Sequence, residues 1–448
     1  MLKTALSLVF ALCSAAAAAV ELGVYRWDAP TGPANIDAFE LWLASPVPLA
    51  QAFEARDIWD NVDGAAWQLG PWSQWVRAKP GRNLVLGVPM MPGEPDRSGP
   101  DRIPGNADDV SLDKCATGQY DVYWRNLANE LTYYGLHWAY LRLGWEMDGN
   151  WYAWAAFQGS GREASFAGCF RRIVQVMRAA QPANQWKFVW NPTATWTDPA
   201  WLSATWPGDA YVDVVGIDLY DHSWAPNTYP YPATCDSACR LARQQTAWNG
   251  YAWYLQTVRN FAQARGKAFA IPEWGLYIRT DGHGGGDNPY YIQKMHEFIS
   301  NPANAVLFHV YFDVNSPDGD HHISGLDAAT AFPQSAARFR LLFGAAPTAT
   351  PAPAPARDQS PPSVILTRPA EGATLSRRST ITMEASASDN VGVAAVHFSV
   401  DGDVKCRRTA APYRCSVSIG TRQRYTLSAR ALDAAGNSAS YSRTYRTR

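Results

Sequence analysis

The feature that most restricts this chain is an alternation, sustained from Glu21 to Phe343, between short apolar β-type runs and longer amphipathic stretches of helical period. The clearest apolar runs cover residues 22–25, 84–88, 139–143, 187–190, 212–219, 268–271 and 306–312, with a weaker eighth near 53–58. Helical stretches such as 120–134, 166–180, 247–265 and 290–299 lie between them. Buried, Val/Ile-rich strands alternating with helices imply a parallel sheet. A segment spanning 20–343 suits an α/β fold of the (β/α)8 barrel type with elaborated loops. An open, doubly wound sheet is the alternative. Against it, no Gly-x-Gly-x-x-Gly follows the first run, and no nucleotide-binding loop of Walker type occurs anywhere.

The ends of the chain read differently. Residues 1–19 have the form of a signal peptide: Lys3, an apolar stretch from Ala5 to Leu12, then small residues up to Ala19. The apolar stretch is too short for a membrane anchor, and no later run is long enough to span a bilayer. Residues 344–362 are rich in Pro, Ala and Thr and predict an extended linker. The last segment, 363–448, alternates in the manner of strands, as in Val396-His-Phe-Ser-Val400, with Asp-Gly and Gly-Asn turns. It predicts a small all-β sandwich of about seven strands.

Charge divides the same way. From Arg357 onward 14 Lys and Arg face 7 Asp and Glu, whereas 25 face 33 before it. The near-neutral total of -1 argues against a nucleic-acid partner. All 20 Trp precede the linker, so the β segment has no obvious sugar-stacking platform and reads as a spacer or a weak, positively charged adhesion module. A monomer is the default expectation.

Excluding Cys13, six cysteines remain, an even number that suits an oxidising, secreted compartment. Cys406 and Cys415 are expected to pair across a hairpin and Cys235 with Cys239 around a turn, which leaves Cys115 for Cys169. Six cysteines nevertheless allow about fifteen pairings. No Cys or His set has zinc spacing, and the acidic run 313–320 fails the calcium-loop pattern, so neither a metal nor a cofactor is expected.

In a barrel of this kind, chemistry gathers at the C-terminal ends of the strands. Those ends read Tyr25-Arg-Trp-Asp28, Trp145-Glu-Met-Asp-Gly-Asn-Trp151, Trp190-Asn-Pro192, Asp218-Leu-Tyr-Asp221, Pro272-Glu-Trp-Gly275 and Tyr311-Phe-Asp313. Aromatic faces beside carboxylates suit a polysaccharide, since rings stack on one and hydroxyls bond to the other. Candidate substrate contacts are Trp27, Trp145, Asp148, Asn150, Trp151, Trp154, Trp190, Asn191, Trp196, Asp218, Trp224, Trp274 and Tyr311. Glu146 and Glu273, from the fourth and seventh strands, are the candidate catalytic pair. Strand alternation places Arg142 on the face of Glu146, where its charge can hold a carboxylate ionised, and Tyr220 within reach of Glu273. Glu146, ringed by Trp145, Trp151 and Trp154, is expected to be the acid/base. Glu273 is expected to be the nucleophile of a glycosidase.

The segment Arg142-Leu-Gly-Trp-Glu-Met-Asp-Gly-Asn-Trp-Tyr-Ala-Trp154 resembles the acid/base motif of glycoside hydrolase family 26, which runs Arg, two residues, His-Glu-Met-Asn-Gly, one residue, Trp. Pro272-Glu-Trp-Gly275 resembles its nucleophile motif, and Gly216-Ile-Asp-Leu-Tyr220 its sixth-strand Asp and Tyr. Gly284-Gly-Gly-Asp-Asn-Pro289 is similar to a loop of secreted bacterial members, and segment 363–448 resembles the bacterial Ig-like modules appended to secreted enzymes. The resemblance implies a secreted retaining endo-β-glycosidase, typically a β-mannanase. Trp145 stands where the family has His and Asp148 where it has Asn, which opens the alternative of a β-glucan, a β-1,3-xylan or an exopolysaccharide as substrate. A non-catalytic polysaccharide-binding protein on the same barrel is the rival from another class.

Overall fold

The computed structural model describes residues 20–194, 198–345, 360–390, 392–433 and 437–448. The expected signal peptide, most of the linker and Trp196 lie outside the described residues. The chain forms two compact units that divide within the Pro-rich stretch. Among the described residues no helix is long and apolar enough to cross a membrane.

In the first unit, eight parallel strands close into a barrel in chain order. They are β1 (Glu21–Tyr25), β2 (Leu49–Phe53), β3 (Asn83–Val88), β4 (Tyr140–Leu143), β5 (Lys187–Trp190), β6 (Val214–Tyr220), β7 (Ala268–Gly275) and β8 (Val306–Phe312). The β1–β8 ladder closes the ring, with Gly23 opposite Val310 and Tyr25 opposite Phe312. Side-chain period two sorts the strand residues into layers. Leu49, Val85, Val189, Val214, Phe308 and Val310 form one buried cluster. Their neighbours Ala50, Leu84, Phe188, Val215 and Phe269 join a second, larger one with the helices, among them Asp121–Tyr133, Glu163–Ala180, Ser237–Ala264 and Pro289–Ser300.

The weak eighth run is the one strand expectation that needs moving. β2 lies at Leu49–Phe53, ahead of 53–58, because Leu-Ala-Gln-Ala-Phe carries almost no β-branched signal. Ladders to β1 and β3 on its two sides make it a strand.

After β8 the loop folds into a small pair, β9 (Asn315–Ser316) and β10 (Gly319–Asp320). Among its described residues the second unit has eight strands where about seven were expected. These are β11 (Ser363–Arg368), β12 (Thr374–Leu375), β13 (Thr380–Ser388), β14 (Val393–Val400), β15 (Asp403–Arg408), β16 (Tyr413–Ser418), β17 (Arg424–Asp433) and β18 (Ser438–Thr447). They form a three-stranded sheet, β11-β13-β16, and a five-stranded sheet, β12-β18-β17-β14-β15. Val396, Phe398, Leu427 and Met383 pack in the core between them.

Disulfides join Cys115 to Cys169, Cys235 to Cys239 and Cys406 to Cys415. The last is not a hairpin bridge: β15 and β16 are edge strands of different sheets, so it joins the two sheets at one edge of the sandwich.

Candidate active site

The floor of the barrel mouth is organised by one cation. Arg142, on β4, is fully buried and reaches residues on β6 and β7 and just past β5. Its Nη1 donates to Glu273 Oε2 at 3.1 Å, its Nη2 to Asp218 Oδ2 at 2.6 Å, and its Nε to Asn191 Oδ1 at 3.0 Å. Glu273 meets Asp218 through an irregular β6–β7 ladder. Gly216 pairs with Ala270 but Asp218 pairs with Glu273, so β7 gains one residue around Ile271-Pro272. Pro272 has no N–H to give the ladder, and the extra residue re-aims the next side chain into the mouth. Two further donors converge on Glu273: Gln51 Nε2, at 3.1 Å from Oε2, and the Tyr220 hydroxyl on Oε1. Such convergence suits a carboxylate anion.

Glu146 arrives by a different route from the one strand alternation suggests. β4 ends at Leu143; beyond it Gly144 (φ 53°) and Glu146 (φ 54°) both take left-handed backbone. At Gly144 a Cβ would lie 2.2 Å from the sulfur of Met90, so any larger residue would have to displace that buried side chain. A non-glycine residue in the left-handed region costs free energy and persists only where its surroundings enforce it. Here Glu146 N donates to Asn191 O at 2.8 Å, and Asp148, buried, accepts from Thr193 N and Oγ1, both at 2.8 Å. The turn after β4 is thereby tied to the end of β5.

One carboxylate oxygen from each of Glu146, Asp218 and Glu273 lies within 4.8 Å of the other two. The guanidinium of Arg142 supplies the positive charge such a cluster calls for. Glu146 has no direct bond to it; Trp151 Nε1 donates to its Oε2 at 3.0 Å. Burial and then the charge of Glu273 push the Glu146 carboxyl up to about 8, against the Trp151 bond and Arg142. Burial also raises Asp218, with Arg142 opposing and the two glutamates adding to it. The two glutamates thus face each other in unlike surroundings, Glu146 beside a single indole donor and Glu273 among Arg142, Gln51 and Tyr220.

A groove of about 760 Å³ opens above this floor. Of the expected substrate contacts, Trp145, Trp151, Trp224 and Asp218 line it, together with Glu146, Glu273 and Tyr220. Trp151 and Trp224 are 54% and 55% exposed and offer ring faces. Others must be withdrawn. Trp274 follows the inward Glu273, so it points outward and packs on His309, Tyr311 and Phe339. Tyr311 does the same on β8, its hydroxyl donating to His321 O at 3.1 Å. Trp190 packs outward on Trp206 and Phe261. Trp154 is sealed beneath Trp145, donating to its carbonyl at 2.8 Å. Asp148 and Asn191 are fully buried and hold the two turns together. Trp27 and Asn150 are not among the lining residues.

In their place the groove is lined by Tyr25, Asp28, Phe53, Arg56, Tyr152, His222, Tyr277, Arg279, Phe312, Asp318 and His321. Two signals were available. Phe312 and Asp28 are the partners of Tyr311 and Trp27 at the same strand ends, one or the other of which must face the mouth. The stretch Asp318-Gly-Asp-His-His322, in the loop after β8, also reaches the groove. Asp318 accepts from the Tyr277 hydroxyl, and His321 Nδ1 sits 2.6 Å from Leu276 O.

Residues 126–257 match the sequence model described as Glycosyl hydrolase family 26, and residues 362–439 the one described as Bacterial Ig domain. A mannan endo-1,4-beta-mannosidase of Bifidobacterium adolescentis is 27% identical over 169 residues, 36% of this chain and 15% of that protein. Endoglucanase H of Acetivibrio thermocellus is 24% identical over 235 residues, 51% of this chain and 22% of that protein. The chain therefore spans less than a quarter of the length of these curated relatives. Among solved structures, GH26C from Muricauda sp. MAR_2010_75 superposes with a TM-score of 0.50 at 14% identity, over 72% of this chain and 85% of that one, a likeness of fold.

Proposed function

We infer, from a barrel that carries glycosyl hydrolase family 26 sequence through its fourth, fifth and sixth strands, that this chain is a glycoside hydrolase of the retaining, endo-acting kind, cleaving a β-mannan or a related β-glycan. The observation that carries the reading is the pairing of Glu146 and Glu273. Their nearest oxygens lie within 4.8 Å, in two unlike environments. Retaining enzymes hold the two carboxyls about 5–5.5 Å apart, whereas inverting enzymes leave about 6.5–9.5 Å for a water.

In the first step Glu273 attacks the anomeric carbon while Glu146 gives its proton to the departing glycosidic oxygen. The carbon–oxygen bond to the leaving sugar breaks and a glycosyl ester forms on Glu273. In the second step Glu146, now ionised, takes a proton from water, whose oxygen displaces Glu273. Arg142, Gln51 and Tyr220 hold Glu273 in place, and Arg142 keeps charge on that side of the site. The groove's aromatic rings support binding of several sugars at once, as an endo mode needs.

A substrate other than mannan is favoured by Trp145. Its indole N–H is committed to the Tyr152 hydroxyl at 3.0 Å, and its ring packs on Phe53, Tyr152 and Trp154. It offers no hydrogen-bonding arm where the family's His stands. The three disulfides support a working site outside the cytoplasm.

The test is proton NMR of the first products released from a panel of mannans, mixed-linkage glucans, β-1,3-xylan and exopolysaccharides. A β-anomer formed first agrees with the reading. An α-anomer formed first overturns the retaining mechanism, and binding without release from any glycan overturns catalysis.

A further inference from the structure

The outward face of the five-stranded sheet in the second unit has an unusual make-up. Register sets Arg407 on β15 opposite His397 on β14, His397 opposite Arg430 on β17, and Arg430 opposite Ser440 on β18. These residues point away from the core, since their neighbours Val396, Phe398, Ala429 and Ala431 are buried in it. Along the same face the following rows carry hydroxyls, Ser428 opposite Ser442 and Thr426 opposite Thr444, and the last row is Arg424 opposite Arg446. The two cationic rows are six residues apart on β17, about 20 Å along an extended strand.

No carboxylate shares this face among the described residues. The unit's ion pairs join Arg368 and Arg414 to Glu384 on the other sheet, Lys405 to Asp403, Arg422 to Asp401 and Arg443 to Glu371. Asp401 and Asp403 sit at the β14–β15 turn, and Asp433 is buried at the end of β17. Arg407, Arg430, Arg424 and Arg446 are exposed and take no part in those pairs. Arg430 Nη2 donates to Ser438 Oγ at 2.9 Å, a neutral partner that leaves its charge uncompensated. Partial burial, and then the charges of Arg407 and Arg430 on either side, hold the His397 imidazole below its usual range.

We propose that this face binds an acidic, carboxylate-bearing polysaccharide laid across the strands. Arg is the side chain best shaped to hold a carboxylate with two parallel hydrogen bonds. The Ser and Thr rows between the cations match a chain rich in hydroxyls. Neutral glycans are poorly served, because among the described residues the face carries no Trp, Tyr or Phe ring for a sugar to stack on. The inference is independent of the chemistry assigned to the barrel.

Affinity electrophoresis of the full chain, in gels containing polygalacturonate, dextran or duplex DNA, tests it. Polygalacturonate retards the protein at low salt, and raising the salt releases it; dextran does not retard it. The double variant Arg407→Ser/Arg430→Ser weakens binding at least tenfold, while Arg407→Lys/Arg430→Lys retains part of it. Arg368→Ser/Arg414→Ser removes the same charge from the opposite sheet and leaves binding within twofold. Absence of retardation by polygalacturonate, equal loss in both Ser variants, or DNA binding as tight as polygalacturonate binding overturns the proposal.

Discussion

Arg142 Nη1 lies 3.1 Å from Glu273 Oε2 in a site where neither residue has more than marginal contact with solvent. The same guanidinium also holds Asp218 at 2.6 Å. One buried positive charge thus serves two carboxyls directly, and the third, Glu146, is left to the weaker donor Trp151. In the proposed mechanism that asymmetry assigns the proton to Glu146 and the negative charge to Glu273.

Replacing either glutamate tests the roles separately. Glu146→Gln is expected to lower kcat about 10²–10⁴-fold on natural glycans, the usual worth of general acid–base catalysis. An aryl glycoside whose leaving group needs no proton restores much of its first step. Glu273→Gln is expected to lose activity on both substrates. Initial rates on the two substrates, with circular dichroism to verify folding, decide the matter, and a Glu273→Gln enzyme active on the aryl glycoside would reject the assignment.

The pH profile follows from the Glu146 carboxyl standing at about 8. As an acid it must be protonated, so kcat/KM is expected to fall as pH rises through about 8. Trp151→Phe removes a hydrogen bond that lowers this value, so the alkaline limb moves upward. Stopped assays from pH 5 to pH 10 on both proteins reveal the shift. An unmoved or lowered limb in the variant contradicts it.

The same carboxyl links pH to stability. Its proton is held more tightly in the fold than in the unfolded chain, whose reference value is 4.5. Its contribution is therefore fully present below pH 4.5 and is lost as pH rises toward about 8. Glu146→Gln does not titrate, so it is expected to melt higher than the parent at pH 9 and alike at pH 4. Calorimetry at the two pH values checks this; an equal difference at both contradicts it.

Two tryptophans near the site are expected to behave in opposite ways. Trp274→Ala opens a cavity among His309, Tyr311 and Phe339 and costs about 3–5 kcal/mol of stability. Trp224→Ala, at an exposed ring on the groove wall, is expected to raise KM severalfold with little change in Tm. Parallel thermal melts and Michaelis curves separate the two, and a Tm loss for Trp224→Ala matching that of Trp274→Ala would place it in the core.

Much of the barrel was legible because its strands are buried on both sides and so carry long apolar runs, as in Val306–Phe312. β2 was misplaced because Ala50, Gln51 and Ala52 have no such signature and are strand only by courtesy of their neighbours. The glutamates were legible from their position after a strand beside Trp. The ring of contacts around them was not: Trp190, Trp274 and Tyr311 look like sugar platforms in the sequence but are packing residues in the fold. Alternation says that adjacent residues face opposite ways, but not which of the two faces the mouth.

The sequence by itself determined the alternation of strand and helix, the second β unit with its opposite charge, and the residue types at each strand end, because these depend on local period and composition. Only the tertiary structure decided that Asp218 and Glu273 share one guanidinium with Glu146 brought close beside them. Their meeting depends on barrel closure, on the extra residue in β7 and on the left-handed turn at Gly144, and each of these is fixed by contacts between segments far apart in the chain.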